Sequence, residues 1–217
     1  MARTRTHRRP RKHKGGKRPW IVRSRSWLSI VIVAPFAVLA ALSYPMVREN
    51  SVADFLLDTV GWTCFACGAM FRWWATLYVG GRKCHELAVD GPYSICRNPL
   101  YFGTFLLTLS IAFYLHSCTF AIGVLMAMPI YLQVTIPWEE GQLRDTFGER
   151  FDNYRHRTPQ FLPDFSKLHS PSILQVNLNG LMGEFWIALR WMWIPLLAQS
   201  LAQLRTATWW PARFYLP

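Results

Sequence analysis

Residues 27–47 read WLSIVIVAPFAVLAALSYPMV, an unbroken apolar run with no charged side chain. A bilayer core takes about 20 helical residues, so this run is long enough to cross one. Pro35 and Pro45 are places where such a helix kinks or ends. Further apolar runs follow at Phe55–Val79, Leu100–Leu115 and Thr119–Ile136, the third and fourth joined by the tight reversal His116-Ser117-Cys118. The expectation is an all-α, polytopic transmembrane helix bundle with four crossings. The last apolar segment, Leu181–Ala202, holds Glu184 and Arg190 as well as Trp186, Trp191 and Trp193. It fits either a fifth crossing or a helix lying at the interface.

Composition agrees. Of 217 residues, 52% are hydrophobic and only 17% charged, and eleven are Trp, a ring that settles at membrane–water boundaries. The net charge of +12 is unevenly placed. Residues 1–26 carry Arg and Lys throughout and no acid. They read as a disordered cytoplasmic tail that sets topology and meets anionic lipid headgroups. Nucleic acid is not the expected partner, because no folded basic module accompanies the charge. Residues 27–165 read as the membrane domain and 166–217 as a C-terminal extension. With the tail inside, the loops bearing Arg82, Lys83 and Arg97, and later Arg144, Arg150, Arg155, Arg157 and Lys167, fall on the cytoplasmic side as well. The expectation is therefore a multi-pass protein with its N-terminus and its site in the cytoplasm, and the basic N-terminus and few Cys favour a bacterial inner membrane as its setting. Arg72, inside the second run, is expected to snorkel to the nearer interface.

The five Cys show no disulfide framework. Cys64 and Cys67 share one face of an apolar helix, which is packing, and Cys84, His85 and Cys96 lack the fourth ligand of a zinc site. No metal is expected.

The loop GPYSICRNPLYFG, Gly91–Gly103, is too elaborate for a simple turn. Gly91 permits a turn, Pro92 fixes the next dihedral, and Pro99 suits the first position of the third apolar helix. Free N–H groups at that helix start favour an anion. Tyr93 and Tyr101 offer rings with hydroxyl tips, Asn98 a donor and an acceptor, and Arg97 a fork for an anion or for Glu139 or Glu140. A second constellation, WEEGQLRDTFGERFDNYRHRTPQFLP, runs from Trp138 to Pro163. Pro137 is taken to end the fourth crossing, which places Glu139 and Glu140 at the start of the next helix, with Glu140 and Arg144 paired at i,i+4. Leu143, Phe147, Phe151 and Tyr154 lie near helical spacing and predict one amphipathic helix.

These two pieces, GPYSICRNPLYFG and EEGQLRDTFGERFDNY, in this order and separated by a helical hairpin, resemble the isoprenylcysteine carboxyl methyltransferase-like membrane family, which takes in phospholipid methyltransferases. The likeness runs from about Phe55 to Pro163, and Gly80-Gly81-Arg82 resembles the family's lead-in. It implies S-adenosylmethionine as cofactor and a lipophilic or small-molecule methyl acceptor: a carboxylate, thiol or amine. Carried over by position, Gly91, Pro92, Tyr93, Arg97, Asn98, Pro99, Tyr101, Gly103, Glu139 and Glu140 are the cofactor-binding residues. Glu139, Glu140, Arg97 and Arg157 are the catalytic candidates, with Arg155 or Arg157 meeting an acceptor anion. Asn98 stands where many members have His, which removes a titrating group, and Phe151 stands where Tyr is common. Two alternatives are a membrane reductase of the sterol-reductase type, whose R-H-P-x-Y-like motif binds NADPH, and a non-catalytic protein that keeps the fold.

Overall fold

The computed structural model describes residues 19–44, 46–47, 50–79, 86–174, 176 and 178–211. The basic residues up to Arg18, Pro45, Arg48 and the Gly80–His85 segment, with the expectations placed on them, lie outside the described residues. Helices account for nearly all regular structure: α1 Trp20–Leu42, α2 Val52–Val79, α3 Pro92–Ile95, α4 Pro99–Tyr114, α5 Cys118–Pro129, α6 Ile136–Phe147, α7 Glu149–Arg157, α8 Leu178–Trp191 and α9 Trp193–Leu204. Among the described residues, four helical stretches are long and apolar enough to cross a membrane: residues 20–42, 52–79, 118–147 and 178–204. α4, with 16 residues, is shorter. It lies along α2, which makes the most extensive pairing in the bundle, and α1 packs on α5. Large side chains such as Val31, Phe55, Met70, Leu125 and Leu197 face outward, which suits an apolar solvent. The fold is the all-α polytopic bundle that the sequence implies.

Close approach of α2 and α4 is made possible by paired glycines. A Cβ on Gly68 would lie 2.8 Å from the Gly103 carbonyl oxygen, and one on Gly103 would lie 2.7 Å from that of Gly68. In a bilayer, where burying apolar surface brings no gain between helices, such backbone contact is what holds them.

Four local expectations give way. α1 begins at Trp20, so Arg23 and Arg25 are helical rather than part of a tail. Pro137 does not end the fourth crossing. Its missing N–H cannot serve the helix in α register, and a π-helical turn, Ile130–Thr135, precedes it: the Ile136 N–H donates to Tyr131 O and the Thr135 hydroxyl donates to Ile130 O at 3.1 Å. The helix therefore runs on from Cys118 to Phe147, and Glu139 and Glu140 sit inside it instead of at its start. The amphipathic stripe is broken in two at Gly148, whose φ of 55° belongs to the left-handed region open to glycine. Arg72 is not a lone charge left to snorkel but pairs with Glu184 at 2.8 Å and donates to the Thr104 hydroxyl at 2.7 Å. That ion pair docks α8 on α2, while α9 packs on α4. Residues 178–204 have the length and hydropathy of a crossing.

Candidate active site

The loop after α2 is held from behind by the chain that follows α7. Gly91 N–H donates to His169 O (2.7 Å), Arg97 N–H to Pro159 O (2.9 Å), and Asp164 N–H to Ile95 O (2.9 Å). Gly91 has φ 59°, and a Cβ there would collide with the Tyr78 ring, so the turn demands glycine twice over. The Tyr154 hydroxyl donates to Tyr93 O at 2.7 Å, and Cys96 is fully buried. Burial pushes the Cys96 thiol up to about 11, while the Asn98 N–H and the Arg97 charge pull the other way. The Tyr93 and Tyr154 hydroxyls are likewise driven well above the usual phenol range by burial. These groups are neutral supports.

Arg97 joins loop to helix. Its Nε donates to Glu140 Oε1 at 2.8 Å, and its Nη1 caps the carbonyls of Arg155 (2.9 Å) and Thr158 (2.6 Å). Glu140 is buried, 6% exposed, and also receives Asn98 Nδ2 at 3.4 Å. The expected Glu140–Arg144 pair is replaced: Arg144 binds Asp152 at 3.0 Å. A single step along the helix, about 100° of rotation, is enough to separate the roles of the two acids. Glu140 is locked into the Arg97 clamp, whereas Glu139 accepts from the Tyr101 hydroxyl (2.8 Å) and from Arg25 Nη1 (2.9 Å). Arg25 Nη1 also donates to the Tyr101 hydroxyl, at 3.0 Å.

Two spaces meet at this cluster. On one side is a cavity of about 520 Å³, within the range of small-molecule sites. It is lined by Glu139, Arg97, Tyr93 and Tyr154 and by the apolar Val79, Leu87, Ala88, Trp138, Leu143 and Phe147. On the other is an apolar slot of about 120 Å³ between α1, α4 and α5, lined by Tyr101, Ser29, Phe105, Val124, Met128 and Phe161. Tyr101 belongs to the wall of the slot and Glu139 to that of the cavity, so their hydrogen bond runs from one space to the other.

The residues named from the sequence thus separate into groups. Tyr93, Arg97 and Glu139 line the cavity, Glu140 and Asn98 stand behind it, and Tyr101 faces the slot. Gly91, Pro92 and Pro99 shape the loop, and Gly103 is a helix-contact glycine. Arg157 lines a neighbouring groove with Arg150, Asn153 and His169, which shares Leu87 and Tyr154 with the cavity. Sequence reasoning missed Arg25, Trp138 and the Leu143–Phe147 wall as contributors. Ser29 one turn after Arg25 is the only hint in the sequence that this face is polar and looks inward.

Comparison with known proteins bears on this geometry. The phospholipid methyltransferase family matches residues 57–150. The nickel-cobalt-cadmium resistance protein NccN of Alcaligenes xylosoxydans xylosoxydans is 29% identical over 191 residues, 88% of each chain. The cobalt-zinc-cadmium resistance protein CzcN of Cupriavidus metallidurans is 31% identical over 144 residues, 66% of each. The protein-S-isoprenylcysteine O-methyltransferase B of Arabidopsis thaliana is 29% identical over 79 residues, 36% of this chain and 40% of its own. No solved structure matches. Over residues 57–150 the chain carries a domain of the phospholipid methyltransferase family, which ends just beyond the paired glutamates.

Proposed function

We propose that this protein is an S-adenosylmethionine-dependent methyltransferase of the membrane, acting on an acceptor that carries an apolar chain. The observation that supports this most directly is the Arg97–Glu140 pair at 2.8 Å, which draws the two motifs to one cavity. The donor set suits the cofactor. Arg97 keeps one Nη2 N–H beyond its bonds to Glu140 and to the Arg155 and Thr158 carbonyls, which suits a carboxylate oxygen, Glu139 answers an ammonium or sulfonium, and Trp138, Leu143 and Phe147 offer apolar surface to a nucleobase. Bound there, the cofactor supplies an electrophilic methyl group.

The chain's own part is positioning. Arg97 and Asn98 fix Glu140 and hence the angle between loop and helix. Arg25 and Tyr101 hold the Glu139 carboxylate against the cavity wall. The slot admits an apolar chain from the bilayer to the far side of Tyr101 and keeps water out, so that alignment carries most of the rate. For an amine or phenol acceptor, Glu139 is the base within reach. The names of NccN and CzcN place those proteins in metal resistance, and we extend that setting to this one: methylation by this protein would serve tolerance of divalent transition metals.

The test is incubation of membranes bearing the protein with methyl-labelled S-adenosylmethionine, with the labelled product identified by mass spectrometry. A labelled lipid or small molecule is expected, and its loss in Glu139→Gln. Calorimetry with purified Glu140→Gln is expected to show cofactor affinity lowered at least about tenfold, roughly 1.4 kcal/mol, because the Arg97 fork loses its charge partner and no longer holds loop to helix. Wild-type affinity in a Glu140→Gln protein that melts normally would remove the clamp from the site.

A further inference from the structure

At the opposite end of the bundle lies a second polar cavity, of about 390 Å³. Asp54 and Asp58 from the start of α2, Tyr114 and His116 from the end of α4, and Gln199 from α9 contribute to its wall. His116 is 7% exposed and its ring is wedged between the carboxylates, Nε2 at 3.3 Å from Asp58 Oδ1 and Nδ1 at 3.5 Å from Asp54 Oδ1. A neutral imidazole has one N–H and can serve only one of them. Even an imidazolium leaves one negative charge over, and no Lys or Arg among the described residues lines the cavity.

The two acids are not equivalent. Asp54 is fixed by a capping box: its N–H donates to Ser51 Oγ at 3.1 Å and its Oδ2 accepts from Asn50 N–H at 2.9 Å. Its remaining oxygen faces Nδ1, the place of a carboxylate that orients an imidazole from behind. Asp58 faces Nε2 and accepts from Gln199 Nε2 at 3.2 Å. A separation of 3.3 Å is long for a hydrogen bond. It matches the edge of a coordination shell, since two ligands about 2.0–2.2 Å from one ion lie roughly 3.0–3.5 Å apart.

Tyr114 is an independent sign. It is fully buried, lines this cavity, and its hydroxyl has no hydrogen-bond partner among the described residues. Buried polar groups are nearly always satisfied, so this hydroxyl calls for a ligand or the water a ligand carries. Among the described residues no three His, Cys, Asp or Glu side chains are grouped so as to hold a metal ion together, so an ion here would have two protein ligands and water for the rest.

We propose that this cavity binds a partly hydrated divalent transition-metal ion, with His116 Nε2 and Asp58 as ligands, Asp54 holding the imidazole, and Tyr114 and Gln199 meeting the ion's water. Imidazole beside carboxylate favours zinc, cobalt or nickel over magnesium or calcium. The site stands apart from the methyl-transfer reading and does not depend on it.

The test titrates the full chain, purified without a histidine tag into nanodiscs, with Co²⁺, Zn²⁺ and Mg²⁺ by calorimetry. It also records zinc-edge X-ray absorption on the loaded wild type. One saturable site for Co²⁺ and Zn²⁺ is expected, none for Mg²⁺, and an absorption spectrum with one imidazole and otherwise oxygen. Asp58→Asn and His116→Asn are expected to weaken binding at least tenfold, Asp54→Asn about tenfold and Tyr114→Phe about threefold. His116→Asn is chosen because Asn tolerates the φ of 45° found there. Unchanged affinity in variants that melt as wild type, absence of imidazole in the absorption spectrum, Mg²⁺ binding as tight as Zn²⁺, or saturation by ethanolamine with no metal response would each overturn the proposal.

Discussion

Arg25 donates through one nitrogen to a phenol and to a carboxylate, and the phenol donates to that same carboxylate oxygen. Each member of the triangle is only partly buried; the side chains of Arg25 and Glu139 are 31% and 38% exposed, so the pair adds little to stability. Its effect is on where the Glu139 oxygen points. Tyr101→Phe removes one donor to a carboxylate, and methyl-transfer kcat/KM is expected to fall about tenfold with little change in melting temperature. An unchanged rate would leave Tyr101 as mere lining of the slot. A second residue-scale expectation concerns Cys96. With its pKa near 11 and no exposure, the thiol is protonated and shielded at pH 7.5. In single-cysteine variants Cys96 is expected to resist maleimide until the protein is unfolded, whereas exposed Cys118 reacts in the folded state. Rapid labelling of native Cys96 would show that the loop opens.

Ion pairing between helices follows different rules from pairing at the surface. Arg72 and Glu184 are 17% and 15% exposed in a segment otherwise apolar, where a lone charge is expensive. Arg72→Ala and Glu184→Ala are each expected to cost about 3–5 kcal/mol, seen as early thermal unfolding in detergent. Exchange of the two residues is expected to recover part of the loss, and failure of both single changes to lower the melting point would mean that α8 docks by packing alone. No reading of periodicity finds this pair, because Arg72 and Glu184 lie 112 positions apart and each looks like a misfit in its own run. The apolar runs themselves are legible, since length and hydropathy are properties of a segment. The π turn before Pro137 is not. A proline reads as a stop only if the helix keeps α register, and the Thr135 hydroxyl and Tyr131 carbonyl take up the displaced bonds. That one extra residue turns the helix beyond it by about 100°, and so sets which way Glu139 and Glu140 face. The site shows the same division. Gly91, Arg97 and the paired acids are legible from local chemistry, whereas Arg25 reaches Glu139 across 114 positions and looks from the sequence like part of a basic tail.

Across the whole molecule, charge and chemistry are sorted to opposite ends. The glutamate cavity shares its end with Arg97, Arg144, Arg150, Arg155, Arg157 and Lys167, while the His116 cavity shares its end with Asp54 and Asp58. Arg205 also lies there, but it is buried at 1% exposure with its guanidinium given to the carbonyls of Ser43 (2.9 Å) and Leu115 (2.6 Å), which closes the ends of α1 and α4. It remains a cation, but one that caps helix ends inside the fold rather than standing in an exposed loop. Basic residues in short loops resist export, so the glutamate cavity is expected inside the cell and the His116 cavity outside. This can be read from two cysteines in a background free of the others. Cys118, in the turn beside His116, is expected to react with a membrane-impermeant maleimide in intact spheroplasts. A cysteine placed by Glu149→Cys, exposed at the start of α7, is expected to react only after permeabilisation. The reverse pattern would put the proposed methyl-transfer site outside, where S-adenosylmethionine is not made, and would tell against that function more strongly than any single substitution, because it needs no variant of the site itself.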